Sequence, residues 1–306
     1  MEHIYDMIII GGGPAGYSAA LYAARAGFDT LVLERMGAGG QMTQTTQIDN
    51  YPGFDEGIDG FLLGAKMQSG AHRFGAKTIY AEVTATALSG SIKRIETSSG
   101  VFLSKTVVIA TGAEHRHLGL ADEEAYEGSG LAYCATCDGM FYRGKTVAVV
   151  GGGNSAAADA VFLSRICKEV ILIHRRDTLR ATKIYHEPLM KTPNISFRWN
   201  TEVKALEGDG RLSGAVLVNN QTGEESRLAL DGLFVSVGRT PATDLFRGQL
   251  SLDNNGYIIA DETTRTNLPG VFAAGDVRAK ALRQIITAAA DGAVAVHSAE
   301  EYLSQL

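Results

Sequence analysis

The feature that most constrains this chain is a pattern that occurs twice. Asp6-Met-Ile-Ile-Ile-Gly-Gly-Gly-Pro-Ala-Gly16 is a short apolar run that leads into Gly11-x-Gly13-x-x-Gly16 and then into the alanine-rich stretch ending at Gly27. The apolar run does not alternate, as expected of a strand buried on both faces of a parallel sheet. The alanines favour a helix, and Gly27 is placed to end it. A strand–glycine–helix unit of this kind lets a pyrophosphate approach the backbone at a helix N-terminus. The next strand, Thr-Leu-Val-Leu, ends at Glu34, which lies 23 residues after Gly11. A carboxylate there can accept hydrogen bonds from a ribose diol.

The unit then recurs. Thr146-Val-Ala-Val-Val150 runs into Gly151-x-Gly153-x-x-Ala156, a helical segment and the strand Glu-Val-Ile-Leu-Ile. The same offset of 23 residues, counted from Gly151, now reaches His174, followed by Arg175, Arg176 and, a helical turn on, Arg180. A carboxylate repels a 2′-phosphate, whereas guanidinium forks grip one bidentately. The first unit is therefore expected to hold an adenosine with a free ribose diol, and the second NADP.

With 306 residues, two domains are expected, and the second unit reads as inserted into the first. The strand of residues 101–113 exits through Ala110-Thr111-Gly112, suited to backbone contact with a ligand. Residues 232–241 repeat that strand and glycine exit. The buried strand at Gly270 ends in Gly275-Asp276, which makes Asp276 a candidate ligand contact at the carboxyl end of a parallel sheet. The helix-like stretch from Leu282 could aim its N-terminal dipole at an electron-rich ring or simply pack on the sheet. Residues 78–88 and 201–207 alternate polar and apolar, which predicts strands of smaller sheets.

A net charge of −6 argues against nucleic acid or an anionic membrane as partner. No apolar run approaches the ~18 residues of a membrane span. The early strand-like Met-Ile-Ile-Ile gives no sign of a secretory signal. Three cysteines are the usage of a reducing compartment, so the expected location is cytoplasmic.

Two of those cysteines stand in Tyr133-Cys134-Ala-Thr-Cys137-Asp138-Gly139. Zinc would need further ligands; Cys167 sits alone in a predicted helix, and His115 and His117 would both have to reach across. A staple closing so short a loop contributes only about 2 kcal/mol. Redox exchange fits better, because Cys-x-x-Cys thiolates have lowered pKa values. Asp138 could carry a proton to or from a departing thiolate, while Asp-Gly also reads as a turn. A disulfide does not readily accept hydride, so a flavin is expected to mediate, and the first unit is the place for the adenosine half of FAD.

With these motifs in place, the chain closely resembles the bacterial-type, low-molecular-weight thioredoxin reductases over essentially its whole length. The likeness rests on I-I-G-G-G-P-A-G, G-G-Q-M-T-Q-T-T-Q-I-D-N-Y-P-G-F, V-V-I-A-T-G-A, C-A-T-C-D-G, V-G-G-G-N-S-A, H-R-R-D-T-L-R-A and F-A-A-G-D-V-R. The resemblance implies an α/β fold of two Rossmann-like three-layer ββα domains: an FAD domain of residues 1–114 and 244–306, and an inserted NADPH domain of residues 115–243 that carries the cysteines. It implies FAD contacts from Gly11, Gly13, Pro14, Ala15, Gly16, Glu34, Arg35, Gly40, Gln41, Asn50, Val83, Ala110, Thr111, Gly112, Asp276, Arg283, Gln284 and Ile285. NADPH would be bound by Gly153, Asn154, Ser155, His174, Arg175, Arg176, Arg180 and Arg239. Cys137 would face the flavin, Cys134 would attack oxidised thioredoxin, and Asp138 would be the acid/base. No metal is implied, and the family is homodimeric.

The chain departs from the family where Ala157-Ala158-Asp159-Ala160 replaces a common Val-Glu-Glu-Ala, and where Met140 replaces a second Phe. Two rivals share the fold. A ferredoxin-dependent relative would lack the second glycine motif or its arginines. A peroxiredoxin-linked reductase usually carries an added N-terminal thioredoxin-like module, of which no pattern is seen. A nucleotide-sensing protein with an idle cysteine pair is the rival from another class.

Overall fold

The computed structural model describes residues 3–44 and 47–306. Thr45 and Thr46, inside one of the quoted motifs, lie outside the described residues. The chain begins with β1 (Ile4–Ile10), α1 (Pro14–Arg25), β2 (Thr30–Glu34), α2 (Gly60–His72), β3 (Lys77–Tyr80), β4 (Val83–Ala87), β5 (Lys93–Thr97) and β6 (Gly100–Ile109). After β7 (Ala113–His115) come α3 (Glu123–Tyr126), β8 (Leu131–Ala132), α4 (Ala135–Asp138), β9 (Thr146–Val150), α5 (Asn154–Ser164), β10 (Glu169–His174), α6 (His186–Lys191) and β11 (Ile195–Trp199). The strands β12 (Thr201–Gly208), β13 (Leu212–Asn219), β14 (Glu225–Ala229) and β15 (Gly232–Val235) follow, then β16 (Arg239–Pro241), β17 (Val271–Ala273) and α7 (Ile285–Leu303).

Two compact units result: residues 1–114 with 240–306, and His115–Arg239. The first unit resumes at Thr240 rather than at residue 244. In it, β3-β2-β1-β6 run parallel, and β17 extends the parallel sheet from the end of β6. The antiparallel strands β5 and β4 pair on from the start of β6. Residues 77–80 thus join the main sheet as β3, not a smaller one; only β4 belongs to an antiparallel hairpin. The alternation there was a poor guide because β3 is an edge strand with one side open to solvent, which polar residues tolerate.

β1 explains the layering. Met7 and Ile9 are buried with α1 and α7, while Ile8 and Ile10 are buried on the other face with Leu88, Ile95, Phe246 and Ile258. Each such side chain contributes about 1.5–3 kcal/mol by leaving water. The second unit repeats the plan. Its parallel sheet is β11-β10-β9-β15-β8, with α5 on one face and the antiparallel β12-β13-β14 on the other. Val147 and Val149 face α5, and Ala148 and Val150 face the three-stranded sheet. In both units the motif-bearing strand is flanked by β2 and β6, or by β10 and β15. Strand order reverses there, and open sheets of this kind bind ligands at that point.

Candidate functional site: two glycine loops and a cysteine pair

The first glycine loop is bare for steric reasons. Gly11 has φ +108, and a Cβ on Gly16 would lie 1.8 Å from the Gly11 carbonyl oxygen, so α1 packs directly on the turn. Gly13, between them, faces open space, with its nearest would-be neighbour 4.0 Å away. Pro14 opens α1, where its missing N–H costs nothing. Ala15 is buried against α7, on the core side of the loop. The Glu34 carboxylate at the end of β2 accepts from Gly12 N at 2.6 Å and from Met36 N at 3.1 Å. It is therefore held at the loop's edge, while Arg35 beside it is exposed.

Other expected residues of this unit gather around the same sheet end. Gly39 N donates to Gly12 O, which brings the following Gly40-Gln41 turn beside the loop, and the Gln41 amide donates to Ala113 O. Ala110 N donates to Ile10 O, and Thr111 Oγ1 donates to Ala242 O across the exit turn of β6. Gly112 has φ +74 there. Asn50 Nδ2 donates to Gln284 Oε1 at 3.1 Å, joining two segments 234 residues apart. Gln284 caps α7 through a reciprocal box with Thr287, so Ile285 is the first residue of that helix. Arg283 lies 3.9 Å over the Tyr257 ring and donates to the carbonyl of Asp276. Val83 starts β4 and is half-buried against the core that holds Ile8 and Ile10.

The second loop repeats the geometry with opposite charge. Gly151 has φ +150, Gly153 faces open space, and Ala156 replaces the third glycine. Asn154 opens α5, and its side chain accepts from Thr182 N at 2.8 Å. Gly152 O accepts from Arg180 N and Ala181 N, at 2.7 and 3.0 Å. These bonds clip the Arg180 segment onto the glycine loop. Ser155, Arg175, Arg176 and Arg180 are all exposed. His174 is buried against Gly152, where any side chain would strike its ring. Burial, and then Arg180, Arg175 and Arg176 nearby, hold His174 below the usual imidazole range, so its ring is neutral at pH 7.

Both loops fit a dinucleotide. The first glycine of each makes the turn, the second leaves room for a pyrophosphate, and the charge at the end of the next strand differs as a free diol and a 2′-phosphate require. The departure residue Asp159 lies midway along α5 and feels the charge of Arg239. Ser236 Oγ donates to Asp159 Oδ2 at 2.5 Å, and burial raises the Asp159 carboxyl against the opposing effects of Ser236 and Arg239.

Cys134 and Cys137 are bonded to each other, with Cα atoms 5.2 Å apart. Cys134 stands just before α4, and its carbonyl accepts from Cys137 N at 3.2 Å and Asp138 N at 3.0 Å. Burial pushes the Asp138 carboxyl up to about 6. Such a group gains and loses a proton near neutral pH. Met140 and Phe141, one turn on, are 47% and 45% exposed. Cys167 is buried in the core beneath α5, and its thiol is pushed up to about 11, so it is inert.

Two carboxylates escaped the reading of the sequence. Asp291, on α7, accepts from Gly275 N, Arg278 and Lys280 at 2.7–3.1 Å. Burial alone would raise it; these donors outweigh burial and hold it below the usual carboxylate range. It thereby fixes the Gly275-Asp276 turn. Its signal was an acid set among the alanines in the first half of α7. Glu123 is 2% exposed and gathers backbone donors from Leu118, Gly119 and Leu120. Its place in Asp-Glu-Glu gave no sign of that burial.

The fold and these sites define a class: residues 5–292 match the pyridine nucleotide-disulphide oxidoreductase family, and the chain belongs to it and is an oxidoreductase. Within that class it is similar to the thioredoxin reductase of Listeria monocytogenes, at 47% identity over 100% of this chain and 96% of the relative. It is 48% identical to the thioredoxin reductase of Streptomyces clavuligerus, with the same coverage. The crystal structure of thioredoxin reductase from Streptococcus pyogenes matches with a TM-score of 0.93 at 41% identity, covering 100% of both chains.

Proposed function

We propose that this protein is an NADPH-dependent disulfide reductase whose substrate is oxidised thioredoxin. The bonded Cys134–Cys137 pair beside Asp138, with a carboxyl at about 6, is the observation that carries this reading. The full-length relatives named as thioredoxin reductases support it, and they favour neither a ferredoxin-dependent nor a peroxiredoxin-linked role. The net reaction takes NADPH, a proton and a disulfide to NADP⁺ and a dithiol.

FAD belongs in the first unit, with Glu34 on its ribose and the Gly11–Gly16 loop at its pyrophosphate. NADPH belongs in the second, with Arg175, Arg176 and Arg180 on the 2′-phosphate. Bound FAD supplies the two-electron chemistry that joins a hydride donor to a disulfide. Asp138 gives a proton to the thiolate released when the Cys134–Cys137 bond opens, and it takes one back when the bond recloses. Cys134 attacks the thioredoxin disulfide to form a mixed disulfide. Cys137 then displaces the reduced thioredoxin and restores the intramolecular bond. The low cysteine count supports a reducing cytoplasm as its location. The apolar face of α2, where Phe61 is 66% exposed, supports a homodimer.

Anaerobic titration tests the reading. NADPH should bleach the yellow flavin absorbance of the purified protein, and oxidised thioredoxin should restore it. A flavin that NADPH leaves unchanged, or that thioredoxin fails to reoxidise, would refute it.

A further inference from the structure

The residue just before the redox pair is held from both sides by groups that the proposed chemistry does not use. The Tyr133 hydroxyl donates to Glu123 Oε1 at 2.8 Å and lies 2.8 Å from His117 Nδ1. The ring stacks on His115 at 5.0 Å and meets the edge of His117 at 5.3 Å. Burial and the Glu123 carboxylate raise the Tyr133 phenol, which therefore stays a donor. Its remaining lone pair then takes the His117 N–H. Glu123 is anchored in turn by the backbone N–H groups of Leu118, Gly119 and Leu120. A buried carboxylate thus ties residues 117–120 to the peptide that enters Cys134.

We propose that Tyr133 is a positioning residue for Cys134, locked by Glu123 and His117 so that the Cys134 thiol stays within reach of Cys137 once the bond between them opens. This inference rests on the redox role of the pair, not on thioredoxin as substrate. In the oxidised protein the S–S bond itself holds Cys134. In the dithiol that bond is gone, and the carbonyl contacts at α4, the Thr136 hydroxyl 3.5 Å from Cys134 Sγ and the Tyr133 anchor are left to hold it. Reclosure is an intramolecular attack whose driving force depends on how closely the two thiols are kept together. Loss of the anchor loosens the dithiol and leaves the closed form little changed, so the equilibrium should shift toward dithiol.

The test is a glutathione redox equilibrium on the flavin-bound protein, with free thiols trapped by a maleimide and the Cys134–Cys137 state read by mass. Tyr133→Phe keeps the ring and removes only the hydroxyl. Tyr126→Phe is the control, because its hydroxyl donates to Gly208 O at 3.0 Å, remote from the cysteines in the bonding network. The equilibrium constant for closing the pair should fall about three- to tenfold in Tyr133→Phe, up to about 30 mV, and stay at the wild-type value in Tyr126→Phe. An unchanged constant in Tyr133→Phe would overturn the proposal, as would an equal fall in both variants. Failure here leaves NADPH-to-thioredoxin turnover untouched, whereas absent turnover in the wild type would count against the substrate assignment alone.

Discussion

Burial lifts the Asp138 carboxyl to about 6, above the roughly 3.9 of an unfolded aspartate. Between about pH 4 and 6 the folded chain keeps a proton that the unfolded chain has released. Asp138 therefore makes folding less favourable as pH rises through that window, and its effect is constant above it. Asp138→Asn removes the titration, so the variant should gain stability relative to wild type from pH 4 to 6.5 and hold that gain to pH 8. Denaturant midpoints of the oxidised proteins check this, and a difference independent of pH would contradict it. The same substitution should slow disulfide reduction by about 10²-fold or more, the usual worth of a positioned acid/base. At this scale the sequence was legible where a residue type has few uses, as with the cysteine pair and the paired glycines. It was silent on Glu123 and Asp291. Their partners lie only 3 to 16 residues away, but most of them are backbone N–H groups or basic side chains whose convergence the residue types do not record.

The two strand–glycine–helix elements were readable because steric demand leaves few alternatives at Gly11 and Gly16, and because β1 and β9 are apolar on both faces. The edge strand β3 was readable as a strand but not as a member of the main sheet, since half of its surroundings are solvent. The charge difference between the ends of β2 and β10 makes a prediction at the level of these elements. On the proposed assignment, Arg175→Ala with Arg176→Ala removes charge-assisted hydrogen bonds to the 2′-phosphate worth about 1.5–3 kcal/mol each. KM for NADPH should rise by at least about 10- to 100-fold, while KM for NADH stays near its wild-type value. Steady-state kinetics with both cofactors decide the matter, and equal losses would mean that the arginines do not read the 2′-phosphate.

At the scale of the molecule, one chain carries two units of the same plan, each with its own core on both faces of a parallel sheet. The inserted unit runs without interruption from His115 to Arg239 and contains the second glycine loop, the cysteine pair and the Tyr133 anchor. The first unit is discontinuous, and the Asn50–Gln284 bond joins its two parts across the sheet end. That duplication was legible as an equal spacing in the sequence, and so was the insertion of the second unit into the first, whereas individual bonds between distant segments, such as Asn50–Gln284, leave no local pattern.

The central claim is that electrons leave this protein through a Cys134–Cys137 bond that opens and recloses in each turnover. The most direct measurement compares wild type with Cys137→Ser for NADPH oxidation in the presence of oxidised thioredoxin, with bound flavin quantified in both. The account predicts equal flavin content and thioredoxin reduction by the wild type only. Reduction of thioredoxin by Cys137→Ser at the wild-type rate would contradict it.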